Sequence, residues 1–567
     1  MRAWWQEIAV YQIYPRSFQD SNQDGIGDLA GILSRLDYIK AIGVDAIWIG
    51  PIYQSPMIDN GYDVSDFRAI DPVFGTMEDL QELIHQIHQR KMYLILDLVL
   101  NHTSDLHPWF QKAIRDPQSE ESEYYIFRDP RYDASGNPQE PTNWYGFVGK
   151  AWVYQPQRKQ YYMKLFAKEM PDLNWENPKM REQMHDIATY YLKLGVDGFR
   201  IDAVAHLGRD TTFTDIPVQE KEVPFDMMKF SNREEVFYYL EEFKQKVFSN
   251  YDCLCIGEVG GNADIAQAIR YAGYEEGSLQ MVFTFDHCWS NGLFGAGPDA
   301  KRNVDVKQLK QIFQTWYTGL HEKAWQALYW HNHDHPRVVS QYGDDTTYHA
   351  ESAKMLCNVL YFMAGTPFLY NGEEIGMTNV DYDDLKDFTD HSAQAFIQAH
   401  QGELTTEQML AILRLTSRDN ARSPMQWNDQ ANAGFSSHTP CTKVNKNYNT
   451  INVQAQEHDP ASILNHYRKV LAFRKQTPYQ DIILSGSFSL VAPEHEDIFA
   501  YERMGISQTI VVIANFRDRN CSLTRKYSTL DVLVQNYSDI QYDGQTFDLR
   551  PFESVVFVTP NSKERGL

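Results

Sequence analysis

Eight short apolar runs recur along most of the chain, and amphipathic stretches with a helical period separate them. The runs are Ile8–Tyr14, Ala46–Ile49, Met92–Leu100, the stretch beginning at Gly198, Cys253–Gly257, Met281–Phe285, Ala327–Trp330 and Thr366–Tyr370. Helix-like patterns over Leu29–Ile42 and Met77–Gln89 lead into the second and third runs. An unbroken apolar run suits a strand covered on both faces, and eight such strands interleaved with helices predict an α/β fold, a parallel (β/α)8 TIM barrel. An open doubly wound sheet is the alternative. The barrel is favoured because candidate catalytic residues end several different strands, whereas an open sheet gathers them at one switch point.

Two insertions interrupt the alternation. After the third run, residues 103–171 are rich in Tyr, Trp, Pro and Gly with no clean helical period, and read as an excursion domain over the barrel mouth. After the eighth run, residues from about 372 to 432 form a second elaboration. From about 484 to 567 the texture becomes short alternating strands such as Gln508–Ala514 and Ser554–Val558, which predicts a C-terminal all-β sandwich. The barrel is thereby assigned to 1–102 and 172–483.

Composition narrows the partners. Of 567 residues, 76 are Asp or Glu against 52 Lys or Arg, a formal net charge of −24. That charge repels phosphate backbones and anionic lipid, so nucleic acid and membrane surfaces are excluded and a neutral small molecule fits better. No apolar run is long enough to span a bilayer, and the N-terminal stretch lacks the pattern of a signal peptide. The six cysteines have no metal-type CxxC spacing and read as reduced thiols of a cytoplasmic protein.

The chemistry gathers at strand ends. In Gly198-Phe199-Arg200-Ile201-Asp202, residues two apart on a strand face the same way, so Arg200 and Asp202 share one site. A guanidinium beside a carboxylate is expected to keep it ionised, as a nucleophile requires. The third run ends in His102, the fifth in Gly257-Glu258-Val259-Gly260-Gly261, and the seventh in His333-Asp334. Asp202, Glu258 and Asp334 on one rim repel one another, which is poor structure but suits glycosidic bond cleavage. Retention of anomeric configuration needs an ionised carboxylate to attack and a protonated one to donate, about 5–5.5 Å apart. Glu258, facing two negative neighbours, is expected to hold the proton.

These stretches resemble glycoside hydrolase family 13, the α-amylase family, in its oligo-1,6-glucosidase and α-glucosidase branch. The resemblance rests on Asp97–His102, Gly198–Asp202, Gly257-Glu258 and His333-Asp334, joined by Trp48–Tyr53, Asn60–Val64, Pro171–Trp175 and Arg422–Trp427 in the family's order. It implies Asp202 as nucleophile, Glu258 as acid/base and Asp334 as stabiliser of the transition state. It further implies that Asp63 and Arg422 close an exo-acting pocket, with Tyr62 under the sugar ring and His102, His333 and Arg200 around it. In this branch valine after the nucleophile accompanies α-1,6 preference, and alanine or threonine α-1,4. Ala203 stands there, with His206 beside the leaving sugar, so maltose and short maltooligosaccharides are the expected substrates.

Three departures accompany the resemblance: Met170 and Asn371 stand where glutamine is usual, and Ser423 where threonine is common. Oligo-1,6-glucosidase, phosphotrehalose hydrolase and glucosyl-transferring isomerase are the other readings within the family. Outside enzymes, the family's transporter heavy chains carry an anchor and an incomplete trio, unlike this chain. Asp20, Asn22, Asp24, Ile26 (through its carbonyl) and Asp28 alternate as the first part of a calcium loop. The glutamate expected at its twelfth position is replaced by Gly31. Related glucosidases hold calcium in such a loop, so a structural Ca²⁺ is expected. No organic cofactor is implied.

Overall fold

The computed structural model describes residues 2–219, 222–260, 262–289 and 304–561. Gly261 of the Gly257–Gly261 motif and the last residues of the expected sandwich domain lie outside them. Eight parallel strands answer the eight apolar runs: β1 (Val10–Ile13), β2 (Ala46–Ile49), β3 (Tyr93–Val99), β4 (Gly198–Asp202), β5 (Leu254–Glu258), β6 (Met281–Phe283), β7 (Ala327–Leu328) and β8 (Thr366–Tyr370). They form one sheet in the order β6-β5-β4-β3-β2-β1-β8-β7. This is the (β/α)8 barrel order: each strand lies beside its sequence neighbour except β6 and β7, which stand at the two ends of the order. Strands β1, β2, β4 and β8 are buried at every position, as unbroken apolar runs demand. The seventh strand, Ala327–Leu328, is shorter than the run that predicts it; beyond it Trp330 is buried and donates its indole N–H to the Leu356 carbonyl, 2.9 Å away.

The chain divides into two compact units. One comprises Met1–Ile47, Ile87–Met92 and Phe285–Leu567; the other comprises Trp48–Gln86 and Tyr93–Thr284. In the second unit, β4 is delivered by the helix Pro178–Leu194, which stops at Gly195 in the left-handed conformation (φ +105°). The strand then pairs with β3 and β5, setting Arg200 opposite Asp97 and Ile201 opposite Gly257. Gly198 is required at its start, since a Cβ there would lie 2.0 Å from the Leu254 carbonyl oxygen. Between β3 and β4, the strands Phe127–Arg128, Gln160–Met163 and Trp152–Gln155 make a small antiparallel sheet. Its core of Trp144, Trp152, Tyr161 and Met163 takes in Ile216 and Phe230 from the loop after β4. This region also holds an amphipathic helix, Pro108–Arg115, whose eight residues are too few to show a period in sequence.

In the first unit, the segment after β8 packs Val380, Tyr382, Phe388, Ala393, Leu410 and Leu413 into a core of its own. Beyond it, β9 (Ser487–Val491), β10 (Ile498–Met504), β11 (Gln508–Asn515), β12 (Cys521–Thr524), β13 (Asp531–Gln535), β14 (Thr546–Leu549) and β15 (Ser554–Pro560) form two antiparallel sheets, β9-β10-β11-β15-β13 and β12-β14. Ile498, Val511 and Phe557 from one sheet meet Leu523, Phe547 and Leu549 from the other in a single buried cluster. That is a sandwich, as the alternating pattern predicts. Among the described residues no helix is long and apolar enough to cross a membrane.

Candidate active site

Arg200 is the hub of the second unit. Its side chain is 1% exposed, and Nη1 donates to Asp202 Oδ1 at 2.6 Å and to Asp97 Oδ1 at 2.8 Å. Nη2 pairs with Glu258 Oε2 at 2.8 Å. The parallel register causes this: Asp97 stands opposite Arg200, and Glu258 ends the strand on the other side. Glu258 Oε2 also accepts the backbone N–H of Ala203 at 2.9 Å. Ala203 presents that N–H from a left-handed turn, φ +47° and ψ +31°.

One guanidinium shared by three carboxylates changes the expected electrostatics. Burial, with Glu258 and Asp97 adding to it, raises the Asp202 carboxyl well above the ordinary range, although Arg200 pulls the other way. Burial pushes Asp97 up to about 6 against the same pull. The expectation that Arg200 alone keeps Asp202 ionised is therefore corrected. From sequence only the Arg200–Asp202 neighbourhood is visible; the other two carboxylates come from separate strands and divide the positive charge. Asp97 and Asp202 therefore both hold protons more tightly than free carboxyls do.

Stability follows with a definite sign. The native state binds a proton at Asp202 more tightly than the unfolded chain does. Its stabilising contribution is therefore full below the unfolded value, about pH 4, and is lost as pH rises through the raised native value. Asp202→Asn, neutral at every pH, is expected to melt about 1–3 °C above the parent at pH 7. The advantage should vanish towards pH 4; equal melting at both pH values would contradict the assignment.

Around this hub, Tyr62 sends its hydroxyl to Asp97 Oδ2 at 3.3 Å, and its ring lies 6.0 Å from the Arg200 guanidinium carbon. Asp63 is fully buried; Oδ1 accepts from Ser55 Oγ (2.9 Å) and Asp59 N (3.0 Å), and Oδ2 from Ile58 N (2.9 Å). Burial still raises its carboxyl, against those hydrogen bonds. His102 packs on Phe166, with ring centroids 5.2 Å apart, and burial lowers its affinity for a proton. His206 sits 4.9 Å from the Phe147 ring, has Nδ1 2.8 Å from Ser231 Oγ, and is pushed down to about 3 by burial, with Arg209 adding to it.

The first unit builds a second charged group at the end of β7. Asp334 Oδ1 accepts from Arg418 Nη1 (3.0 Å) and Arg422 Nη2 (2.9 Å), and Oδ2 lies 3.2 Å from His333 Nε2. Burial opposes the charge on Asp334, but His333, Arg418 and Arg422 outweigh it and hold the carboxyl well below its usual range. His333 Nδ1 is 2.9 Å from Gln12 Nε2 on β1, and its ring stacks on Tyr14 at 5.9 Å. Asp390, 1% exposed, closes the group: Oδ2 meets Arg418 Nη2 at 2.6 Å and Arg422 Nη1 at 3.1 Å, and Oδ1 caps the helix His391–Ala399. A cavity of about 320 Å³ opens beside Asp334, Asp390, Arg418, Ser392 and Gln341.

Sequence reasoning gave no role to Asp97, Asp390 or Arg418. Asp97 did leave a signal, a carboxylate inside an otherwise apolar strand. Asp390 left none, because nothing in the sequence brings a helix cap from the second insertion to β7.

The expected calcium loop turns sharply at Gln23 (φ +71°) and Gly25 (φ +87°). Asp20 accepts from the N–H groups of Asn22, Gln23 and Gly25 and from Ser436 Oγ. These bonds outweigh its burial and keep it ionised. Asp28 caps the helix Leu29–Ser34 and holds Ser21, while Asn22 and Asp24 accept from Asp24 N and Ile26 N. Among the described residues no three acidic, histidine or cysteine side chains converge as a metal-binding group. The donor chemistry, oxygen throughout with Asp20 held below its usual range, suits a hard cation.

Comparison with known proteins places these features. The α-amylase catalytic-domain family matches residues 12–483. An oligo-1,6-glucosidase of Halalkalibacterium halodurans is 42% identical, over 98% of this chain and 99% of the relative. An α-glucosidase of Pediococcus pentosaceus is 39% identical over 98% of each. The crystal structure of Bacillus licheniformis trehalose-6-phosphate hydrolase superposes with a TM-score of 0.91 at 37% identity, covering 99% of this chain and all of that one. With its strand-end carboxylates and this match along nearly its whole length, the chain belongs to the α-amylase family of glycoside hydrolases.

Proposed function

We propose that the protein is a retaining, exo-acting α-glucosidase that prefers α-1,4 bonds in maltose and short maltooligosaccharides. The observation that carries the reading is the shared guanidinium. Arg200 grips Asp202 with one terminal nitrogen and Glu258 with the other, at 2.6 and 2.8 Å. Two carboxyls held on one guanidinium support a reading in which one attacks and the other donates a proton. Asp202 attacks the anomeric carbon while Glu258 passes its proton to the leaving oxygen. Glu258 then takes a proton from water, which displaces Asp202. Asp334, held ionised by two arginines and His333, balances the positive charge on the sugar ring. Asp63, Tyr62, His102, Arg200, His333 and Arg422 bind the glucose that is released, and Ala203 and His206 face the sugar that leaves.

Linkage rests on Ala203, whose small side chain leaves space for an α-1,4 leaving sugar. Purified protein is expected to release glucose faster from maltose than from isomaltose, with the α-anomer appearing first by ¹H NMR. Faster isomaltose cleavage would overturn the linkage; β-glucose first would overturn retention. Cleavage only of phosphorylated disaccharide, or rearrangement without release, would move the reading to a phosphotrehalose hydrolase or a glucosyl-transferring isomerase. The six cysteines, all unpaired, support a reducing cytoplasmic setting.

A structural calcium ion belongs to the same reading. Asp20, Asn22, Asp24, Asp28 and the Ile26 carbonyl would hold it, and it would tie the loop after β1 together without touching the reaction. Chelation is expected to lower the melting temperature by several degrees and added Ca²⁺ to restore it. Unchanged melting, with no calcium in elemental analysis of the purified protein, would remove the ion.

A further inference from the structure

A closed chain of hydrogen bonds behind His102 fixes more than its position. The backbone pairs His102 with Asp172, which brings Asn101, Asp172 and Arg209 together in the buried interior of the second unit. Arg209 Nη2 donates to Asn101 Oδ1 at 2.9 Å and to Asp172 Oδ2 at 2.8 Å. Asn101 Nδ2 donates to Asp172 Oδ1 at 3.0 Å and lies 3.2 Å from His102 Nδ1.

The donor inventory leaves one arrangement. A guanidinium has no acceptor, so the Asn101 atom facing Arg209 is its oxygen. An ionised carboxylate has no donor, so the atom facing Asp172 is the amide nitrogen. Both tests agree, and the Asn101 amide cannot be flipped without breaking two bonds to charged groups. Its nitrogen carries two hydrogens: one goes to Asp172, and the other points at His102 Nδ1. That ring nitrogen must therefore accept.

We propose that Arg209, Asp172 and Asn101 set the tautomer of His102, so that the imidazole offers Nε2–H to a hydroxyl of the bound sugar as a donor and never as an acceptor. Nε2 makes no hydrogen bond of full geometry within the protein, and the Tyr62 carbonyl beside the ring favours an N–H on it. A substrate hydroxyl that accepts from Nε2–H would give that hydrogen a better-aligned partner than the protein supplies. Arg209 spends its other terminal nitrogen on the carbonyls of His206 and Gly208. The same cation therefore anchors the loop after β4 and the tautomer of His102. Asn101, Asp172 and Arg209 are positioning residues here; none need touch the sugar. The sugar half of this inference rests on the α-glucosidase reading, whereas the tautomer does not.

Neutron diffraction from crystals of the full chain tests the tautomer directly. Deuterium is expected on His102 Nε2 with none on Nδ1; deuterium on Nδ1 overturns the proposal whatever the protein hydrolyses. Asn101→Asp supplies the second test, because a carboxylate facing Nδ1 can only accept. The deuteron should move to Nδ1, and KM for maltose should rise roughly tenfold with kcat within about threefold. A deuteron that stays on Nε2 in a folded Asn101→Asp protein shows that the network does not set the tautomer. A moved deuteron with unchanged KM overturns the sugar contact. If the variant does not fold, the parent map still decides. If the parent cleaves no α-glucoside, the functional reading fails separately, and the neutron map still judges the tautomer.

Discussion

Asp202→Ala is expected to lower kcat/KM on maltose by roughly 10⁴-fold or more, the scale seen when a covalent nucleophile is removed. The proposed roles differ, nucleophile for Asp202 and acid/base for Glu258, and added azide separates them. In Asp202→Ala the face vacated by the carboxylate admits azide, which attacks the anomeric carbon while Glu258 protonates the leaving oxygen. The product is the β-glucosyl azide, of inverted configuration. In Glu258→Ala, with an activated leaving group that needs no proton, Asp202 still forms the glycosyl-enzyme. Azide then replaces water in the second step and yields the α-glucosyl azide. Opposite anomers from the two variants would establish the roles. The same anomer from both, or a parental rate in Asp202→Ala, would overturn them. Arg200 makes the experiment sensitive, since removing one of its three carboxylates alters the proton balance of the other two.

Ala203→Val is expected to raise the ratio of isomaltose to maltose cleavage roughly 10- to 100-fold, the range available from added methyl groups in a tight pocket. Two effects act together. The larger side chain fills space assigned to the α-1,4 leaving sugar. It also stands at φ +47°, where a β-branched residue is strained, and the strain bears on the N–H that holds Glu258. Absolute rates on both sugars are therefore expected to fall while the ratio moves. Ala203→Gly isolates the second effect: it relieves the backbone without adding bulk and should keep the maltose preference. An unchanged ratio in Ala203→Val would mean that Ala203 only packs, and linkage would have to be set elsewhere.

How much of this was legible beforehand depended on whether the determinant is local. Strand periodicity is local, so the runs at Ala46–Ile49 and Thr366–Tyr370 end where the strands end. The parity of Arg200 and Asp202 is local too, and the structure joins them at 2.6 Å. Short elements were less legible: the helix Pro108–Arg115 is too brief to show a period, and β7 spans only Ala327–Leu328.

By itself, the sequence determined the barrel, the sandwich, the strand-end residues and the family, because apolar periodicity and strand-end motifs survive without knowledge of partners. Only the tertiary structure decided how charge is shared. It places Asp97 and Glu258 on the guanidinium expected to serve Asp202 alone, sets Asp390 behind the arginines of Asp334, and pins the Asn101 amide between Arg209 and Asp172. Protonation and tautomer depend on the sum of every charge and donor within a few ångströms, and those neighbours come from strands and loops far apart in the chain.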